Sequence, residues 1–198
     1  GEYFPVVEGE RGTYLLSSRD LCLIEHIPEL IGAGVASFKI EGRMKSINYV
    51  ATVVSAYRRA IDGYYDNPSD YSFDPVLLEQ LKRVSNRAYT TGFIFGRPSS
   101  DSQNYGGEIY RRPYTFIGLI KDYNKNTGMA TVEQRNHFAV GETIEVFGPD
   151  GNSFEQKITE ILNEDGESVA VAQHPQMQVR MPLNGPLEPF TLLRRKNV

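Results

Sequence analysis

Residues 14–62 read YLLSSRDLCLIEHIPELIGAGVASFKIEGRMKSINYVATVVSAYRRAID, and this stretch decides the fold of the first third of the chain. A short apolar run at 13–16 predicts a strand, and apolar residues at helical spacing then predict a helix from Leu21 that stops at Gly32. A second strand is predicted at 35–40. A second helix follows it, with one apolar face formed by Val50, Val53, Val54, Tyr57 and Ile61. The order βαβα is typical of parallel strands with helices packed outside them, because a right-handed crossover has to return over the sheet.

Two strand-helix units are too few to close a barrel or to bury both faces of their strands. We therefore expect them to be the last two units of a (β/α)₈ barrel, with the other six units upstream in a longer protein. The fold class predicted for residues 1–96 is accordingly α/β. A small two-layer α/β domain is the alternative interpretation of the same pattern.

The second half of the chain has an all-β pattern. A helix with Asp74 as N-cap and Pro75 at its first position ends the α/β part. Residues 97–113 mix Pro, Ser, Asp, Asn and Gly without apolar periodicity, which predicts a linker. The turn signals KNTG, GPDG and NEDG then separate short β runs, which predicts a small β-barrel domain over 114–198. The seven runs lie at 114–120, 129–133, 143–147, 154–162, 168–172, 178–181 and 190–193.

The composition limits the class of protein. Lys and Arg number 21 against 25 Asp and Glu, a net charge of −4, so the chain lacks the basic footprint of a nucleic-acid module. If RNA is bound, local patches contact it. Cys22 is the only cysteine, so no internal disulfide framework exists. No apolar run suits a membrane span or the core of a signal peptide, and we expect a cytoplasmic protein.

The strongest local constellation is SFKIEGRMKS at residues 37–46. In a strand, Lys39 and Glu41 face the same side, and in a (β/α)₈ barrel they would point into the lumen near the active-site end. These two residues are candidates for proton transfer, and Arg43 and Lys45 in the following loop are candidates for binding an anionic substrate. The alternative is a Lys39–Glu41 ion pair that only holds the barrel together.

Other chemical signatures are weak. His26, His137 and His174 show no metal-ligand spacing, and we interpret them as structural. The sequence contains no CxxC pair, no Gly-rich phosphate loop and no serine in a nucleophile elbow. A self-contained protease or nucleotide enzyme is therefore poorly supported.

Residues 14–62 closely resemble the end of the catalytic domain of peptidase family U32. Residues 114–195, with VEQRNHFAVGETIEVFGPDG and AQHPQMQVRMPL inside them, are similar to the β-barrel C-terminal domain that follows it in many members. The family was first described as collagenase-like proteases. Members that resemble this chain are linked to hydroxylation of the wobble uridine of tRNA, with prephenate as co-substrate, so the resemblance implies tRNA as partner.

The resemblance also gives Cys22 a role. In the family, four cysteines are thought to hold an iron-sulfur cluster, and the last lies in a DLC motif that matches Asp20, Leu21 and Cys22. One thiolate cannot hold a cluster by itself, so we expect the cluster only in the full-length protein. A helix N-terminus at Cys22 would lower the thiol pKa. The alternative is an inert thiol in the core.

Two further expectations concern the chain as an isolated fragment. It should be inactive without the upstream units, and it should self-associate through unpaired strand edges and apolar helix faces. Two rival functions remain open. One is a true peptidase, whose nucleophile or metal site would come from residues outside this sequence. The other is a non-catalytic module that docks protein or RNA.

Overall fold

The fold is taken from a computed structural model that describes residues 6–9, 12–14, 18–98, 104 and 111–197. The chain divides into two compact units. The first unit comprises the described residues within Gly1–Arg43 and Ala56–Arg112. The second unit comprises Met44–Ser55 and the described residues within Pro113–Val198. No helix in the described part of the chain is long and apolar enough to cross a membrane.

In its described residues, the first part of the chain consists of short strands and three α-helices. The strands are β1 (Val7–Gly9), β2 (Gly12–Tyr14), β3 (Asp20–Leu21) and β4 (Tyr89–Thr90). The helices are α1 (Ile27–Gly32), α2 (Ile47–Asp66) and α3 (Pro75–Lys82), with 3₁₀ turns at Ile24–His26 and Pro68–Asp70. β1 pairs antiparallel with β2, whereas β3 pairs parallel with β4.

α3 forms as the sequence predicts. The Asp74 side chain caps it by accepting a hydrogen bond from the Val76 N–H at 3.0 Å, and Pro75 occupies its first turn. Leu77 and Leu81 are buried, and the helix packs on the 3₁₀ turn that carries the buried Ile24. The capping residue and the apolar spacing therefore act together to place this helix.

The predicted βαβα order is wrong in its second strand. Residues 35–40 form no regular element, and no described strand pairs with them; without ladder hydrogen bonds a segment is not a strand. The helix predicted from Leu21 starts later, because Asp20 and Leu21 pair with Tyr89 and Thr90 in β3–β4. The first predicted strand is described only in part, because β2 ends at Tyr14 and residues 15–17 lie outside the described residues. Most of the predicted linker also lies outside them.

The buried face of α2 is shifted from the predicted one. Val50 and Val54 are 40% and 46% exposed. Of the predicted apolar positions only Val53 is buried. The other buried side chains on the helix are small or polar, namely Asn48, Thr52, Ala56 and Ala60. A search for large apolar residues at helical spacing cannot find such a face, because its members have little apolar surface.

The second unit is built on a six-stranded antiparallel sheet. Its strands in spatial order are β11 (Gln178–Pro182), β6 (Met129–Gln134), β5 (Tyr114–Asn124), β12 (Leu192–Lys196), β8 (Thr143–Phe147) and β9 (Ser153–Lys157). The predicted run at 143–147 is confirmed at both ends. The run predicted at 154–162 ends early at Lys157, and β5 is longer than predicted. β7 (Phe138–Ala139) was not predicted. It pairs with β10 (Val171–Ala172), which forms the end of the predicted run at 168–172.

A large core occupies this unit. Alternating side chains of the sheet supply it, and the buried members include Ile117, Val132, Phe138, Ile144, Val179, Met181 and Leu193. A smaller cluster of Leu119, Phe147 and Leu192 lies apart from it, and Ala51 of α2 packs against that cluster. The first half of α2 therefore covers part of the sheet.

A buried ion pair lies beside the smaller cluster. Arg194 in β12 is 0% exposed, and its Nε and Nη2 both donate to Glu145 Oε2 at 2.9 Å, while Nη1 donates to Thr52 Oγ1 at 3.2 Å. Its guanidinium carbon lies 4.1 Å from the centre of the Phe147 ring. The register of β12 against β5 shifts between Leu193 and Arg194, and such an irregularity re-aims a side chain. This shift lets Leu192, Leu193 and Arg194 all be buried in succession.

We predict that Arg194→Met lowers the free energy of unfolding by about 3–5 kcal/mol, because it leaves the Glu145 carboxylate buried without its partner. The double variant Arg194→Met with Glu145→Leu should recover most of this loss. Urea denaturation followed by circular dichroism measures both. Arg58→Met, which breaks an exposed pair with Asp62 on α2, is the control and should cost less than about 1 kcal/mol. Equal losses for the two single variants would contradict the prediction.

Candidate functional site

Cys22 lies at the junction between β3 and the 3₁₀ turn that leads into α1. Its backbone N–H donates to the Thr90 carbonyl at 2.9 Å, which extends the short parallel pairing of β3 with β4 by one bond. The thiol is free and partly buried. The Cys22 backbone is fixed by this bond, and the residue as a whole is partly exposed.

Burial raises the pKa of the Cys22 thiol above its usual value of 9.0. The Ile24 backbone and the Tyr57 hydroxyl, which donates to Sγ at 3.8 Å, act in the opposite direction, and the Glu25 carboxylate adds to the rise. The Tyr57 oxygen also accepts the Leu23 N–H at 2.9 Å, which holds the phenol in place. The predicted lowering of the pKa by a helix N-terminus is therefore wrong: the segment begins with a single 3₁₀ turn, and burial outweighs the donors.

A cavity of about 490 Å³ opens beside Cys22. Cationic side chains line it, with Thr90 and Thr91 contributing hydroxyl groups and Glu25 the one carboxylate among the described lining residues. The cations are Arg19, Lys82 and Arg111. Positive charges therefore outnumber negative ones around the thiol.

The wall of this cavity is held by contacts over long sequence distances. Arg87 donates from Nε to Asp20 Oδ1 at 2.9 Å and from its backbone N–H to Oδ2 at 3.0 Å, so both carboxylate oxygens are used. Asn86 is 3% exposed, and its amide bonds to the Lys82 and Val84 carbonyls and to the Ala88 N–H. Ala88 itself has a φ of +66°, a conformation that costs an L-residue about 1–2 kcal/mol.

The structure places the residues predicted from SFKIEGRMKS in an exposed segment. Lys39, Glu41 and Arg43 are exposed, whereas the alternating Phe38 and Ile40 are partly buried, although no ladder forms. The Arg43 N–H donates to Glu41 Oε1 at 3.0 Å. No ion pair joins Lys39 to Glu41 in this described segment. The lining of the Cys22 cavity contains none of these residues.

Lys45 and the histidines have structural contacts. Lys45 Nζ lies 5.0 Å from the centre of the Tyr49 ring. The His26 ring packs edge-on against Phe95 with centres 4.7 Å apart, and its Nδ1 lies 3.4 Å from Glu29 Oε1. His137 lines a second cavity, of about 940 Å³, in the second unit. No group of three His, Cys, Asp or Glu residues able to hold a metal ion occurs among the described residues.

Sequence reasoning found Cys22 but missed the side chains around it. Arg19 adjoins the DLC motif, and its closeness to the cysteine is a signal that could have been used. Asn86 and Arg111 gave no signal, because they reach the cavity only through contacts more than 60 residues away in the chain.

The protein therefore has two parts. One is an α/β unit in which a half-buried lone thiol lies beside a cationic cavity, and the other is an all-β unit built on an antiparallel sheet. The model of peptidase family U32 matches residues 2–104, and the model of the family's C-terminal domain matches residues 112–194. The chain belongs to peptidase family U32.

Relatives of two kinds are found. The chain is 40% identical over 186 residues to tRNA hydroxylation protein P1 of Bacillus subtilis, which covers 94% of this chain and 44% of that protein. It is 37% identical over 198 residues to tRNA hydroxylation protein P of Escherichia coli, covering 98% and 42%. A collagenase of Porphyromonas gingivalis is 33% identical over 156 residues, covering 76% and 42%. The chain thus spans less than half the length of these curated relatives.

A solved structure is also similar in sequence. The C-terminal domain of a U32 peptidase from Geobacillus thermoleovorans is 42% identical, and the match covers 41% of this chain and 99% of that one, with a TM-score of 0.40.

We predict that alkylation of Cys22 by iodoacetamide shows a pH midpoint above 9.0, because the buried thiol resists ionisation. Tyr57→Phe should move the midpoint higher still, since it removes a hydroxyl that donates to the sulfur. Tyr65→Phe is the control, because this tyrosine is exposed and should leave the midpoint unchanged. Mass spectrometry of the single adduct gives the rates, and a midpoint below 9.0 would refute the argument.

Proposed function

We propose that this chain is part of a U32 enzyme that acts in the hydroxylation of the wobble uridine of tRNA. The observation that carries the proposal is the 40% and 37% identity, over nearly the whole chain, to relatives named tRNA hydroxylation proteins. The collagenases match a smaller part of the chain at lower identity. tRNA is therefore the proposed partner, and the cytoplasm is the proposed compartment.

Cys22 is proposed as one ligand of an iron-sulfur cluster in the complete enzyme. Its environment supports this role: the residue is partly exposed, and the Tyr57 hydroxyl and the Ile24 backbone bond to the sulfur, as donors commonly do to cluster sulfurs. The sequence contains no other cysteine, so further thiolate ligands would come from outside it. When bound, such a cluster would supply redox chemistry, and the role of this chain is to fix one ligand.

The exposed segment at residues 39–45 is proposed to serve the substrate. Lys39 and Glu41 would transfer protons, and Arg43 and Lys45 would bind the carboxylates of prephenate as co-substrate. The support is that Arg43 is exposed and that, among the described residues, Glu41 accepts only the backbone N–H of Arg43, which leaves both charged groups available. In this proposal residues 1–96 complete a (β/α)₈ barrel, residues 97–113 link it to the next domain, and residues 114–198 form a β-barrel domain.

A peptidase is the second candidate, and the collagenase of Porphyromonas gingivalis is the observation that favours it. Among the described residues, however, no serine or cysteine has a histidine within hydrogen-bond reach. Cys22 bonds to a tyrosine instead. Peptide cleavage by the full-length protein that survives loss of iron would favour this candidate over the first.

We predict that deletion of the gene for the full-length protein abolishes hydroxylated wobble uridine, as measured by mass analysis of tRNA nucleosides. A wild-type copy should restore the modification. A copy with Arg43→Ala should restore it at a rate about tenfold to a hundredfold lower, because a charge-assisted hydrogen bond to substrate is lost. Arg58→Ala is the matched control and should restore it fully. Full restoration by Arg43→Ala would return this residue to a structural role.

Iron content gives an independent test of Cys22. The full-length Cys22→Ser protein, purified without oxygen, should contain less iron and less visible absorbance than wild type, while the 198-residue chain alone should be colourless. Unaltered iron and absorbance in the variant would remove Cys22 from the site.

We also infer that the isolated chain self-associates. Ile47, Val50 and Val54 on α2 and Phe93 and Phe95 after β4 are exposed apolar side chains, which commonly mark surfaces that bind another protein surface. Light scattering should show a mass that rises with concentration. A monomer at every concentration would contradict this inference.

A further inference from the structure

The cavity beside Cys22 has an unbalanced positive charge. Arg19 and Arg111 line it. No carboxylate in the described part of the chain forms an ion pair with either of them. Lys82 is the third cation, and its Nζ contacts Glu79 Oε1 at 2.7 Å on the exposed surface of α3. Glu25 is the only carboxylate among the described lining residues. Among the described residues, two arginines around one small cavity therefore have no acidic partner.

Hydroxyl donors accompany these charges. Thr90 Oγ1 accepts the Gly92 N–H at 3.2 Å, which leaves the hydroxyl proton of Thr90 available to a ligand. Thr91 adds a second hydroxyl to the lining. The hydroxyl proton of the neighbouring Tyr89 is already used, because it is donated to the Leu81 carbonyl at 2.7 Å. Arginine forks and threonine hydroxyls are the groups that proteins use to bind oxygen anions.

The backbone that carries this lining is firmly held. Arg111 exchanges two backbone hydrogen bonds with Asn86, at 3.2 and 2.8 Å, and the side chain of Asn86 is itself fixed by three bonds. Ala88, two residues after Asn86, has a left-handed conformation that an L-residue adopts only when its surroundings impose it. Strain of this kind clusters at ligand sites, and a fixed wall lowers the entropy lost on binding.

We propose that this cavity is an oxyanion site, in which Arg19 and Arg111 bind the carboxylate or phosphate group of a small ligand beside the Cys22 sulfur. A volume of about 490 Å³ lies within the range of small-molecule sites. The inference rests on the residues of this chain alone and does not require that the protein act on tRNA. Free carboxylates and phosphate groups share the recognised chemistry, and the experiment distinguishes them.

The single cysteine reports the charge of the cavity directly. In the 198-residue chain, Cys22 is alkylated by the anionic reagent iodoacetate and by the neutral reagent iodoacetamide, and the ratio of the two rates is measured. Both reagents react with the thiolate, so the thiol pKa cancels from the ratio. We expect the ratio to be about tenfold higher in the folded chain than in the same chain unfolded in urea, and to fall as salt is added. Equal ratios in the folded and unfolded chains would overturn the proposal.

Variants assign the effect to the two arginines. Arg19→Gln with Arg111→Gln should lower the ratio to the unfolded value, whereas Glu25→Gln should raise it, because it removes the opposing charge. Arg58→Gln changes the net charge by the same amount as one arginine substitution but lies in the exposed pair with Asp62 on α2, and it should leave the ratio unchanged. A fall with Arg58→Gln as large as that with the arginine pair would also overturn the proposal.

Competition identifies the ligand class. Malonate and inorganic phosphate are added separately at constant ionic strength, and each should slow the reaction with iodoacetate if it occupies the cavity. Protection by malonate alone assigns a carboxylate ligand, protection by phosphate alone assigns a phosphate ligand, and protection by both assigns a general oxyanion site. Protection by neither anion would refute the site. Because the assay contains no tRNA, its failure would leave the proposed hydroxylation role untouched, and loss of that role would leave the assay unaffected.

Discussion

The second unit depends on one buried guanidinium. Desolvating Arg194 and Glu145 costs several kcal/mol per ion, and only a close, fully bonded geometry offsets that cost. Glu145 in β8, Thr52 in α2 and the ring of Phe147 provide this geometry together. If α2 moved along the sheet, the guanidinium would lose its bond to Thr52, and a change in the register of β8 against β12 would displace Glu145. One charge thus fixes both the pairing of the central strands and the position of the helix segment on them.

The Cys22 site is assembled from two distant parts of the chain. Asp20 lies in the first strand of a parallel pair, and Cys22 follows directly after that strand. Arg87, Asn86 and Ala88 come from the turn before the second strand. The two hydrogen bonds from Arg87 to the carboxylate of Asp20 hold that turn against the cysteine segment. A short strand pair therefore serves to bring a thiol and a cationic wall together, and it has little role in forming a core.

The sequence predicted what local chemistry determines and missed what distant contacts determine. The helix cap at Asp74 and Pro75 began a helix as expected, and the short β run before the turn signal GPDG gave both ends of β8 at 143–147. A cap and a turn are properties of neighbouring residues. The strand expected at 35–40 failed because a strand needs a partner that its own residues cannot supply. The cavity lining was missed for the same reason: Arg111 approaches Cys22 only after the chain has folded.

The order of strands in the sheet has a consequence for biosynthesis. β12 lies between β5 and β8, yet it follows the other five strands along the chain. Until β12 emerges from the ribosome, β5 with its neighbours and β8 with β9 are two separate ribbons, each with an unpaired edge where β12 will later bind. Exposed edges of this kind pair readily with other chains. The nascent protein therefore passes through a stage in which it is prone to aggregate, and that stage ends only when the strand carrying Arg194 joins the two ribbons into one sheet.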